Sequence, residues 1–99
     1  MPENPLAAME KVDPKLVESV HDVEEWAFAD GALPKKVKIL MAMSFDAAHG
    51  AANGVRALAQ RAMAAGATRE EIGEALRVAW VLSGEGSVFV AAQGLKDLF

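Results

Sequence analysis

The sequence predicts an all-α fold of five or six helices packed as a bundle. Three observations carry this. Apolar residues recur at helical spacing through most of the chain. Start and stop signals punctuate those stretches: Asp13-Pro14, Leu33-Pro34 and Thr68-Arg69-Glu70-Glu71 at openings, Gly31, Gly50 and Gly66 at ends. Alternating β-branched runs and hairpin dipeptides are missing.

Residues 1–12 read as a loosely ordered lead. Pro2 and Pro5 discourage early helix, with room for a short one over Leu6 to Lys11. Asp13 then caps a helix whose first position is Pro14, where a missing N–H costs nothing. Leu16, Val17, Val20, Val23, Trp26 and Ala27 supply its apolar positions, and Asp30-Gly31 ends it.

The second long helix spans Pro34 to His49. From Val37 to Ala48 it is apolar almost all round, which predicts a central helix buried on most sides. The third runs from Ala52 or Asn53 to Ala65, with Val55, Leu58, Ala59, Ala62 and Met63 on its apolar stripe. The fourth opens on a capping box, in which the Thr68 hydroxyl and the Glu71 carboxylate each satisfy a free backbone amide, and continues to about Leu82. Gly73 inside it costs stability relative to Ala, and a close helix–helix contact there would account for it. After the loop Ser83-Gly84-Glu85-Gly86, residues Ser87 to Phe99 read as the last helix.

The 99 residues form a single domain. A chain this short buries a limited share of its surface, yet 53% of its residues are hydrophobic and 24% charged. Twenty alanines inflate the first figure, but exposed apolar patches remain, and a closed homo-oligomer is the simplest way to cover them. The net charge of −4 and the absence of a basic stripe argue against nucleic acid. Lys35, Lys36 and Lys38 form one basic cluster, expected to be a solvated face. No signal peptide and no membrane-length apolar run is visible, so a cytoplasmic location is expected.

The stretch from Leu33 to Leu82 resembles the carboxymuconolactone decarboxylase / alkyl hydroperoxidase D-like family. Lys36, Lys38 and Gly66-Ala67-Thr68-Arg69-Glu70-Glu71-Ile72 match its frame. The resemblance implies an all-α, oligomeric protein, a hexamer or a trimer. In many members a glutamate, a Cys-x-x-Cys pair and a histidine turn over peroxides or disulfides. Those positions fall here on Ile39, on Ala51 and Gly54, and on Leu58. The chain has no cysteine, so a two-thiol cycle is excluded. The decarboxylase branch implies a histidine at the Leu58 position and another near Val90, and neither is present.

Other residues could move protons. Asp46 precedes His49 by three residues, so both fall on one side of the central helix, where an acid can orient a histidine base. The dull reading is a histidine settled at a helix C-terminus. A polar line Asp46, His49, Asn53, Arg56, Gln60 would point away from the face bearing Ala51, Gly54 and Leu58. Glu85, between two glycines and near Trp80 in sequence, could be desolvated into an acid or base, or be an ordinary loop residue. His21 with Glu24 or Glu25 suits an exposed helical pair and lacks the ligands of a metal site. Trp26, Trp80, Phe28, Phe45, Phe89, Met41, Met43 and Met63 are expected to be ordinary core, with an apolar pocket as the alternative. No cofactor and no metal are expected. Two functions stay open. One is a non-catalytic homo-oligomer, or one that binds a small apolar or acidic ligand. The other is a cofactor-free enzyme on a small acid or lactone that uses His49, Asp46 or Glu85.

Overall fold

A computed structural model describes residues 4–99, and Pro2 lies outside them. Six helices follow one another: α1 (Ala7–Val12), α2 (Pro14–Phe28), α3 (Lys35–Ala48), α4 (Ala52–Ala64), α5 (Arg69–Ser83) and α6 (Gly86–Leu95). No strand occurs among the described residues. The last helix stops at Leu95, short of the expected Phe99, and Asp97 takes a left-handed φ of 69° in the closing turn.

The start signals act as local chemistry requires. The Asp13 carboxylate accepts a hydrogen bond from the Leu16 amide at 3.1 Å. Thr68 and Glu71 form the reciprocal capping box: the Thr68 hydroxyl accepts from the Glu71 amide at 3.1 Å, and the Glu71 carboxylate accepts from the Thr68 amide at 2.8 Å. Pro34 brings no capping side chain to α3. Asp30 does so from four residues upstream, its carboxylate accepting from the Lys35 amide at 2.7 Å, while Lys38 Nζ donates to the Ala29 carbonyl at 2.7 Å. The basic cluster is therefore not simply a solvated face. Lys38 ties the α2–α3 linker, and Lys36 pairs with Glu71 at 2.8 Å.

The core is built around α3, which packs most extensively on α4 and then on α5, while α6 closes against α4. Ile39, Met43 and Ala47 of α3 meet Val55, Ala59 and Ala62 of α4, Ile72 and Ala79 of α5, and Ala91 of α6. Several of these are alanines, so the helices approach closely. At Gly94 of α6 a β-carbon would lie 2.9 Å from Val55 Cβ and closer still to the Ala52 carbonyl oxygen. Gly73 is different: nothing lies within 4 Å of its missing side chain, so no helix crossing explains it.

In contrast to α3–α6, α2 touches the body lightly, chiefly on α3, and buries Val17 alone. Most of the large aromatic and methionine side chains expected in the core are outside it. Trp26 is 81% exposed, Phe45 63% and Phe89 68%, with Met41 and Trp80 also exposed. Met43 is buried, and Phe28 and Met63 pack on the core's edge. The central helix thus hides Ile39, Leu40, Met43 and Ala47 but presents Met41 and Phe45 outward. Its all-round apolar character exceeds what one copy of the chain can cover.

Candidate functional site

Two places compete: the positions at which thiol-bearing proteins carry their chemistry, and an open groove between α3 and α5. At the first, Ile39 is fully buried among core residues. Ala51 stands at the N-terminal end of α4 and supplies no side-chain cap. Leu58 packs against the core from α4, and Gly54 lies in that helix's first turn.

Asp46 changes the meaning of Gly54. The chain turns at Gly50, whose φ of +81° lets α3 end and α4 begin beside it. That turn directs the Asp46 carboxylate onto Gly54, with Asp46 Cγ 2.8 Å from where a Gly54 β-carbon would stand and Oδ2 closer still. Asp46 therefore faces the former motif instead of pointing away from it. The first turn of α4 carries no side-chain cap, so Asp46 approaches its free amides without bonding them.

The structure does not join the other candidates to Asp46. No hydrogen bond or ion pair links Asp46 to His49 among the described residues. His49 is exposed, and its ring stacks on Phe45, with centroids 6.3 Å apart and planes inclined by 18°. Glu85 is exposed at the start of α6, makes no capping hydrogen bond, and is not desolvated. Asn53 and Gln60 are exposed, while Arg56 donates to the Lys96 carbonyl. His21, Glu24 and Glu25 line a second, smaller hollow with Phe28, Lys35 and Arg61, the Arg61 guanidinium lying 5.2 Å from the Phe28 ring centroid.

The α3–α5 groove has a volume of about 720 Å³. Its walls are apolar: Val37, Leu40, Met41 and Phe45 on α3, Ala75, Val78 and Leu82 on α5. Four polar residues line it, among them Ser83 at the end of α5. Ser44 donates to the Ala75 carbonyl at 3.0 Å, which fixes its hydroxyl and leaves oxygen lone pairs free to accept. Glu71 and Glu74 also line it. Hydrogen bonds from Lys36 and from the Thr68 amide hold the Glu71 carboxyl below its ordinary value of 4.5. None of His49, Asp46 and Glu85 lines the groove. The sequence offered an apolar pocket as the alternative for Met41 and Phe45 but did not pair them with α5, because the two walls belong to helices separated by the whole of α4. The one available signal was the apolar excess on the outer side of α3, at Met41 and Phe45.

Comparison with known proteins fits this architecture. Residues 14–97 match the model of the carboxymuconolactone decarboxylase family. The fold is similar to the apo crystal structure of a carboxymuconolactone decarboxylase family protein from Legionella pneumophila. The TM-score is 0.84 and the identity 34%, over 92% of this chain and 81% of that one. No curated protein matches the chain.

Proposed function

Because the chain belongs to the carboxymuconolactone decarboxylase family, we propose that it is a self-assembling member without thiol chemistry. In this reading the α3–α5 groove takes a small apolar ligand. One observation carries this: the large concave feature of the fold is apolar, and the candidate proton-transfer residues stand outside it. Its polar groups narrow the ligand class. Lys36 meets the charge of Glu71, which leaves Glu74 to repel a carboxylate, while Ser44 can accept from a hydroxyl, so a neutral alcohol fits better than an acid.

Self-assembly is supported by surface area and shape. The chain exposes 7019 Å², against about 5,400 Å² for a compact monomer of its mass. Its radius of gyration is 14.2 Å, against about 12.6 Å for a compact chain of this length. The excess, about 1,600 Å² per copy, equals the share one partner contributes to roughly two standard interfaces. Exposed Trp80, Val81, Val88 and Phe89 on α5 and α6 supply apolar surface for one of them. A hexamer, needing two kinds of contact, suits this excess better than a trimer.

The second reading is a cofactor-free enzyme using His49, Asp46 or Glu85. The Asp46 carboxylate on Gly54 favours it, since an acid there lies against the family's reactive turn.

The test is thermal unfolding with a series of medium-chain alcohols. Binding at a hundred times Kd stabilises by about 2.7 kcal/mol, and Ala75→Phe, which fills the groove, should abolish the shift. Equal shifts in both proteins would remove the groove as the site. A shift lost only in His49→Ala or Asp46→Ala would favour the second reading.

A further inference from the structure

We propose that the exposed seam of α2 is a two-fold interface, on which α2 of a second copy lies antiparallel. This rests on the self-assembly reading above and names the partner surface for it. Leu16, Val20, Val23 and Ala27 follow one another at spacings of four, three and four residues. That spacing is the repeat of a knobs-into-holes seam. Leu16, Val23 and Ala27 are exposed and Val20 half-buried. Within its own chain α2 packs chiefly on α1 and more lightly on α3, with Val17 buried and Phe28 on the core's edge. Three of the four seam residues thus stay exposed in one copy.

Three features select a second copy as its occupant. The first is area. The surface excess of about 1,600 Å² per copy leaves room for a second interface beside one on α5 and α6. The second is size complementarity. In an antiparallel pair centred between Val20 and Val23, Leu16 meets Ala27 of the second copy at both ends and Val20 meets Val23. Large thus opposes small, and equal opposes equal, in every layer. The third is charge. Glu18, Asp22 and Glu25 lie on the side of α2 opposite the seam at 100° per residue and Glu24 on its flank, so three of the four acids of α2 in each copy stay in solvent.

Native mass spectrometry of the full chain tests the interface. We expect the wild type to be an even-numbered oligomer and Val23→Glu to halve its subunit count. Val23 is exposed, so circular dichroism should show the variant folded. An oligomer unchanged by Val23→Glu overturns the α2 pairing and leaves self-assembly standing; a monomeric wild type overturns both. The absence of cysteine permits an independent check. When Val20→Cys and Val23→Cys chains are co-expressed and oxidised, the mixed disulfide should exceed either like pair by about tenfold, since residues 20 and 23 are the facing pair. Like pairs in equal or greater yield overturn the antiparallel register.

Discussion

The carboxylate of Asp46 occupies the space that a side chain on Gly54 would need. Asp46 Cγ lies 2.8 Å from the position of a Gly54 β-carbon, closer than real β-carbons approach. A side chain on Gly54 therefore requires the Asp46 carboxylate to move.

This coupling predicts a sign reversal. Gly54→Ala should fail to show the gain of about 1 kcal/mol expected from replacing Gly by Ala within a helix. In an Asp46→Ala background the same change should stabilise by about that amount. A double-mutant cycle in urea measures it, and a coupling below about 0.5 kcal/mol would show that Asp46 swings aside freely.

Two other glycines should behave oppositely to each other. Gly94→Ala drives a methyl group against the Ala52 carbonyl and Val55, and should cost about 1–3 kcal/mol. Gly73→Ala meets nothing within 4 Å on an exposed helix and should stabilise by about 0.5–1 kcal/mol. Melting temperatures of the two variants, falling and rising respectively, check the pair.

Restoring the family's acid should not restore its chemistry. Ile39 is 1% exposed among apolar neighbours, so Ile39→Glu buries a charge with no partner. The expected loss is about 3 kcal/mol or more, read by chemical denaturation. A loss under about 1 kcal/mol would indicate water access at this position.

The Lys36–Glu71–Thr68 group should give stability a defined pH response. Its contacts favour the charged Glu71, so the folded carboxyl lies below its ordinary value of 4.5. Their contribution is full above that value and is lost as pH falls through the lower folded one. Melting curves between about pH 6 and pH 3 should show wild type and Glu71→Gln converging at the acid end. A gap that stays constant would remove the ionic part of the explanation.

Local signals carried most of the helical framework. Asp13-Pro14, the Thr68–Glu71 box and the terminal glycines act through neighbours a few residues away, and the helices begin and end near them. The buried stripe of α4 was equally legible, because period and burial coincide there. Relations between helices were less so. The cap that Asp30 gives Lys35 skips four residues, and the Asp46–Gly54 contact depends on the angle of a turn. Hydrophobicity also misled where it serves a purpose other than the core. Phe45, Trp80 and Phe89 look like core by composition, yet one copy of the chain leaves them in water.

The linker between α2 and α3 carries a mechanical consequence. Lys38 pulls on the Ala29 carbonyl from one side, and Asp30 grips the Lys35 amide from the other. These two clamps, together with Phe28 on the core's edge, hold the root of α2 against the body. The first helical arm is thus a lever whose fulcrum is a pair of hydrogen bonds on the surface. Any change at Lys38 or Asp30 is therefore felt at the far end of α2, about twenty residues of chain away from the core helices it leaves untouched.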